Sequence, residues 1–272
     1  MRLASFRDAA GREGFGRLDG DRIFRLGNCL KAALAAGSVA ALPDGEGLAL
    51  ADVTLLPPIP QPGKILCVGM NYASHRDEMG RTQMAHPAIF TRWADTLVAH
   101  GNPLVRPCES ACLDYEGELA VVIGKPARLV SEGEAMDYVA GYAVFHDASV
   151  RDWQRHNIQF TPGKNFPGTG GFGPALVTPD EAGDIPAQRV QTRLNGHLVQ
   201  DQPVSDLIFS IPALIAYCST FTTLLPGDVI ATGTPGGVGE KREPPLYMKG
   251  GDRVEVSIGS VGTLVNPVVD EG

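Results

Sequence analysis

Four absences narrow the function of this chain. No stretch concentrates lysine and arginine: the formal net charge is −8 and the pI about 5.2. That argues against a nucleic-acid backbone or an anionic membrane as partner and leaves small solutes. The five cysteines, Cys29, Cys67, Cys108, Cys112 and Cys218, are odd in number and form no Cys-x-x-Cys pair. Neither a disulfide framework nor a zinc site is implied, and a reducing, cytoplasmic setting fits. No apolar run reaches membrane-spanning length, and the N-terminus, Met1-Arg2-Leu3-Ala4-Ser5-Phe6, meets charge at once and lacks the apolar core of a secretion signal. The most apolar segment, Leu207–Cys218, contains Ser210 and Pro212 and reads as a buried helix. Lastly, Thr232-Gly233-Thr234-Pro235-Gly236-Gly237 is rich in glycine but lacks the Gly-Lys-Ser/Thr ending of a phosphate-binding loop.

What is present is turn chemistry. The 272 residues include 33 glycines and 21 prolines, more than a helical protein carries, and 43% are hydrophobic against 20% charged, an ordinary globular balance. Residues 1–58 read as a small N-terminal α/β domain of short strands turned at Gly11, Gly14, Gly16 and Gly20. Asn28 is placed to cap a helix over Cys29–Ala36 that Gly37 ends. The proline-rich Leu56–Gly63 is an extended linker, and the main domain occupies residues 59–272.

Within it, strands are expected at Lys64–Gly69, Ala88–Phe90, Leu119–Ile123, Gly141–Asp147, Val190–Leu194, Asp228–Ala231 and Arg253–Ile258. Helices are expected at Ala73–Met79, ended by Gly80, and at Ser210–Ser219. Many strands and few helices make this α+β, mainly β, rather than the regular βα alternation of a Rossmann fold or TIM barrel.

The chemistry centres on Asp114-Tyr115-Glu116-Gly117-Glu118, which runs into the apolar Leu119–Ile123. With a strand period of two, Glu116 and Glu118 share a face. Two carboxylates at the mouth of a core strand repel, so one pKa must rise unless a cation intervenes, and Mg²⁺, Mn²⁺ or Ca²⁺ favours such oxygen ligands. A third acid, Asp147, ends the apolar strand Gly141–His146. By spacing alone a solvated edge pair is as plausible as a metal site, because exposed carboxylates are the rule.

Four ordered segments alter that balance: Asn71-Tyr72-Ala73-Ser74-His75-Arg76-Asp77-Glu78, Asp114–Leu119, Asp147–Gln154 and Pro226–Gly239. Together they resemble the fumarylacetoacetate hydrolase family over roughly residues 57–270. The resemblance implies a distorted, mixed β-roll, commonly preceded by a small N-terminal domain, in a homodimer. It also implies that Glu116, Glu118 and Asp147 bind Mg²⁺ or Mn²⁺, with Ca²⁺ able to substitute in crystals.

His75 and Glu78 lie three residues apart, on one face of a helical turn, where the carboxylate can orient the imidazole. As a bare pair this is more often incidental; the resemblance makes it a water-activating dyad on a mobile lid. Lys164, by base rates a solvated loop lysine, is implied to contact metal-bound water or substrate. A helical turn would set Asp147, Arg151 and Gln154 on one side. Gln154 is then a substrate ligand by family match, and Arg151 either a substrate ligand or a counter-charge for the acids. In the glycine loop, Gly233 permits close backbone approach and Thr234 offers a hydroxyl to a substrate carboxylate. Arg92 falls where many relatives have lysine and would pair with a substrate carboxylate or stack on a ring. His146 stands where relatives have asparagine and would bring pH dependence.

The implied reaction is divalent-metal-dependent C–C hydrolysis of a 2,4-dioxo (acylpyruvate-like) acid to pyruvate and a second acid. The alternatives are oxaloacetate decarboxylation, isomerisation or hydration of unsaturated 2-oxo acids, and a non-catalytic protein that binds an acidic metabolite. In each the partner is a small keto acid rather than nucleic acid or membrane.

Overall fold

The computed structural model describes every residue except 40, 41, 44, 81 and 83. Its centre is the strand Gly117–Ile123, every residue of which is buried. An unbroken apolar run forms a strand here because both faces are covered. Leu119, Val121 and Ile123 enter one core with Val190, Val256, Ile258 and Leu264 and the helix residues Leu214, Ile215 and Cys218. Ala120 and Val122 enter a second core with Ile65, Cys67, Ala143, Phe145, Phe172 and Leu3.

Gly117–Ile123 lies inside a twelve-stranded mixed sheet. Val139–Asp147 pairs with it antiparallel on one side and Val229–Ala231 on the other; Ile65–Gly69 then runs parallel to Val229–Ala231, and Ala88–Arg92 closes that end. On the far side Gly170–Val177 joins Val139–Asp147. A five-stranded sheet, His197–Pro203, Arg189–Leu194, Arg253–Ile258, Gly262–Asp270 and Leu104–Arg106, packs over the first core. At Gly117 the approach is so close that a Cβ would fall 2.2 Å from Thr192 Oγ1 of this second sheet. Only a hydrogen fits between Glu116 and Glu118.

The expected fold class holds: mainly β, with few helices. Each expected strand of the main domain is found, Arg253–Ile258 unchanged and the others with an end moved by one or two residues, as in Ala88–Arg92, Gly117–Ile123 and Val139–Asp147. Residues 1–58 also supply strands, Arg2–Arg7, Glu13–Asp19 and Arg22–Gly27, but these extend the large sheet, because Arg2 and Leu3 pair with Val177 and Leu176.

Three local expectations need correcting. The first helix is Leu30–Ala35, capped at Cys29 without a side-chain bond, so Asn28 caps nothing. The later helix is Ile211–Phe221: Ser210 accepts the Ala213 N–H and Pro212 sits in the first turn, where its missing N–H costs nothing. Leu207–Phe209 therefore precede the helix, and Leu207 instead bridges to Tyr72. Finally, Asp147, Arg151 and Gln154 do not share one helical face: Ser149–Val150 is a short strand paired with Leu113–Asp114, and the helical turn begins only at Arg151.

Candidate active site

Strand register brings the acids together. Gly117 pairs with His146 and Glu118 with Phe145, so the next position sets Glu116 opposite Asp147, whose N–H donates to the Glu116 carbonyl at 2.8 Å. Side chains of alternate residues share a face, which sends Glu116, Glu118 and Asp147 to the same side. One oxygen from each lies within 4.8 Å of the others, and all three residues are buried.

Buried carboxylates need partners. Lys164, 1% exposed, donates from Nζ to Glu116 Oε2 at 2.7 Å and to Asp147 Oδ2 at 2.6 Å. Arg151 contacts Asp114 Oδ2 at 2.8 Å through Nε and Glu116 Oε1 at 2.7 Å through Nη2. Arg92 gives Nη1 to Asp147 Oδ1 at 2.7 Å and Nη2 to Thr169 Oγ1 at 2.6 Å. Among the described residues no cation reaches Glu118, whose carboxylate receives the Gly233 N–H at 2.9 Å.

Four buried acids, Asp114, Glu116, Glu118 and Asp147, thus meet three buried cations, and the deficit falls on Glu118. Burial, then the charges of Asp147 and Glu116, push its carboxyl well above the ordinary range. Burial also opposes the charge on Glu116, but Lys164 and Arg151 outweigh it and hold the group down at about 2. Burial raises the Asp114 carboxyl in spite of Arg151. For Lys164 burial favours the neutral amine, yet Asp147 and Glu116 keep its pKa above the ordinary value.

Three hard oxygen donors around one unmatched negative charge fit a small divalent cation and no soft metal. That chemistry, and not any bound ion, is the basis for reading Glu116, Glu118 and Asp147 as a metal site.

Glu116 and Glu118 form the floor of a cavity of about 390 Å³, lined also by His75, Met79, Phe90, Arg151, Gln154, Arg155, Phe160, Lys164, Thr234 and Glu240. A second cavity, about 630 Å³, is larger but is walled by Tyr142, Ile185, Leu207 and Ile211 and holds no member of the acid cluster. Volume alone therefore does not locate the chemistry.

His75 rides on the helix Ala73–Glu78, and its Nδ1 lies 3.2 Å from Glu78 Oε2. Glu78 accepts the Gly237 N–H at 3.1 Å, and Ser74 Oγ accepts the Gly236 N–H at 3.3 Å, so the helix is fastened to the glycine loop. Burial raises the Glu78 carboxyl, but the bonds from His75 and Gly237 more than offset it and hold it below its usual value. Gln154 accepts from Arg151 Nη1 through Oε1 at 3.0 Å, which leaves its amide nitrogen for the cavity.

The structure gathers His75, Glu116, Glu118, Arg151, Gln154, Lys164 and Thr234 around one cavity, with Asp147 and Glu78 directly behind. It moves other candidates away from substrate. Arg92 is fully buried and braces Asp147, so neither substrate pairing nor exposure at the cavity wall is open to it. Gly233, at φ +105°, turns its N–H onto Glu118; a Cβ there would strain the backbone and meet Asn71 at 2.8 Å. Thr234 does border the cavity, but its hydroxyl donates to the Gly117 carbonyl at 3.0 Å and accepts from Gln200 Nε2 at 2.9 Å, so its proton is already committed.

His146 shares strand parity with Val144 and faces away from the acids. Burial, reinforced by Arg92, lowers its pKa to about 3, so it stays neutral and supplies no pH dependence near neutrality. Sequence reading passed over Asp114, although its parity with Glu116 and Glu118 was a usable signal. Asp114 gathers the N–H groups of Tyr115, Gly239 and Glu240 as well as Arg151. It also passed over Arg155 and Glu240, which meet only through the fold.

With this geometry in place, the chain belongs to the fumarylacetoacetate hydrolase family. The family's C-terminal domain pattern matches residues 64–269, and an Rv2993c-like N-terminal pattern matches residues 1–58. An oxaloacetate tautomerase of Xenopus laevis is 44% identical over 82% of this chain and 70% of its own length. Another, from Bacillus subtilis, is 43% identical over 80% of this chain and 74% of its own. Among solved structures, a fumarylacetoacetate hydrolase from Exiguobacterium antarcticum superposes with a TM-score of 0.88 at 33% identity, covering both chains completely. No helix among the described residues is long and apolar enough to cross a membrane.

Proposed function

We propose that this chain interconverts the keto and enol forms of a 2-oxo acid, oxaloacetate foremost, with Mg²⁺ or Mn²⁺ held by Glu116, Glu118 and Asp147. The observation that carries the proposal is the His75–Glu78 pair facing a cavity whose acidic floor lacks one positive charge. A divalent ion on that floor supplies Lewis-acid polarisation of the 2-oxo group, which acidifies the C3 hydrogens.

The remaining work falls to the chain. Glu78 engages Nδ1 of His75 and leaves Nε2 for the proton at C3. As that proton departs, the C3–H electron pair becomes the C2=C3 bond and the C2 oxygen takes up a proton; ketonisation is the reverse. No water is consumed and no carbon–carbon bond breaks. Lys164 and Arg151 keep Glu116 ionised, the Gln154 amide offers a hydrogen bond to the acid, and Met79, Phe90 and Phe160 restrict water.

Presented with a water, the same dyad would serve hydrolysis of a 2,4-dioxo acid, the reaction to which the four sequence segments point. The tautomerase reading is preferred because relatives of that name share more of their sequence with this chain than the superposable hydrolase does. The acting unit proposed, as the resemblance implies, is a homodimer, which light scattering tests.

With Mn²⁺-loaded protein, the ultraviolet absorbance of enol-oxaloacetate should decay faster than in buffer without matching pyruvate release. Pyruvate from acetylpyruvate would restore the hydrolase reading, and pyruvate from oxaloacetate the decarboxylase reading. No acceleration with any of these acids would leave a binding protein.

A further inference from the structure

We infer that Arg155 is the receptor for a second carboxylate on the substrate, so that the preferred 2-oxo acids are dicarboxylic. The inference rests on the proposed 2-oxo acid chemistry and deepens it.

Among the described residues, three arginine and lysine side chains line the cavity. Two are spent: Lys164, 1% exposed, on Glu116 and Asp147, and Arg151, 5% exposed, on Asp114, Glu116 and the Gln154 amide. Their charge is consumed by the floor, and His75 faces Glu78. Arg155 differs in each respect. It follows the short helix Arg151–Gln154, its side chain is 62% exposed at the mouth, and among the described residues its one ion pair is with Glu240.

Glu240 is the anion that aims it. This side chain is 9% exposed, its backbone N–H is anchored on Asp114 Oδ2 at 3.0 Å, and its other oxygen lies 4.0 Å from Arg151 Nε. The guanidinium thus lies against Glu240 with most of its surface in solvent, and its planar set of five donors suits a carboxylate. With a net charge of −8, the protein as a whole repels a dianion, and a cation at the mouth lowers that barrier locally. The carboxylate and 2-oxo end of the substrate goes to the acidic floor; the far carboxylate meets Arg155.

The test compares oxaloacetate with 2-oxobutanoate, which carries a methyl group in place of the far carboxylate. Deuterium exchange at C3, followed by NMR on Mn²⁺-loaded protein, gives kcat/KM for each. In Arg155→Gln the oxaloacetate to 2-oxobutanoate ratio should fall about tenfold, as expected for lost hydrogen bonds to a charged group, and the fall should appear in the KM for oxaloacetate rather than in kcat. Arg155→Lys should recover part of it, since charge returns without the fork. A ratio within twofold of wild type, or equal losses on both acids, overturns the inference and leaves Arg155 as a structural latch on Glu240.

Titration calorimetry of both acids against the Mn²⁺-loaded protein reads the same discrimination without turnover. Equal weakening of the two acids by Arg155→Gln there also overturns it. Failure of the tautomerase reading looks different: wild type exchanges neither acid, while calorimetry still distinguishes them.

Discussion

The floor and the rim of the cavity are built on opposite plans. On the floor, strand register and the surrounding cores hold Glu116, Glu118, Asp147, Arg151 and Lys164 so tightly that every charge but one is matched. At the rim, His75 and Glu78 sit on a six-residue helix held by a few bonds to the glycine loop, and Arg155 stands out in solvent. Such a division suggests that the floor sets the chemistry, while the rim moves protons and selects substrates. Low local stability suits the second task, because elements that open must be loosely held.

The sharpest way to break this contrast is Asp147→Asn. It strands Arg92 and Lys164 without their shared counter-ion, and removing one partner of a buried charge pair typically costs about 3–5 kcal/mol. We expect lost turnover together with a markedly lower melting temperature. Retention of both would mean that the acids are not coupled as described.

Glu118→Gln separates chemistry from stability. It removes the one unmatched charge, so the metal-free protein should melt no lower than wild type, yet turnover and the Mn²⁺-induced rise in melting temperature should vanish. A variant that still gains stability from Mn²⁺ would show that Glu118 is no ligand.

Glu78→Gln tests the rim. General acid–base contributions run to about 10²–10⁴-fold, and as the orienting partner Glu78 should account for the lower end in kcat with little change in melting. The pH profile supplies a second reading. Because the folded-state pKa of Glu78 is depressed, its ionised form is stabilised above the unfolded value and lost as pH falls through the lower folded value. The acid limb of kcat due to this group should therefore lie below its ordinary value of 4.5 and disappear in the variant.

The smallest effect expected is for Thr234→Val, which deletes hydrogen bonds to Gly117 and Gln200 behind the floor. A loss of about 1–2 kcal/mol in denaturant unfolding would fit, with the dyad's pH profile retained.

Much of the floor was legible in the sequence because it depends on period and order. The parity of Glu116 and Glu118, and the apolar run ending at Asp147, are local signals that the strand pairing simply joins. The positions of Arg92 and Thr234 were not legible, since nothing in Phe90–Trp93 or Thr232–Gly237 says that the guanidinium turns inward to Thr169 or that the hydroxyl is taken by a carbonyl. The pairing of Arg155 with Glu240 spans 85 positions and exists only once the glycine loop folds back over the floor. Helix ends shifted by a residue or two, to Leu30 and Ile211, because a helix terminus is the least sharply determined part of the element.

The first 58 residues hold none of the candidate site, yet Arg2 and Leu3 zip onto Gly170–Val177, which in turn flanks the strand bearing Asp147. Trimming that segment would uncover the Leu176–Val177 end of a strand that neighbours the one bearing Asp147, an edge that another polypeptide could pair with. A shortened version of this protein should self-associate more readily than the full chain, because that uncovered edge is where a neighbouring copy would add its own strand.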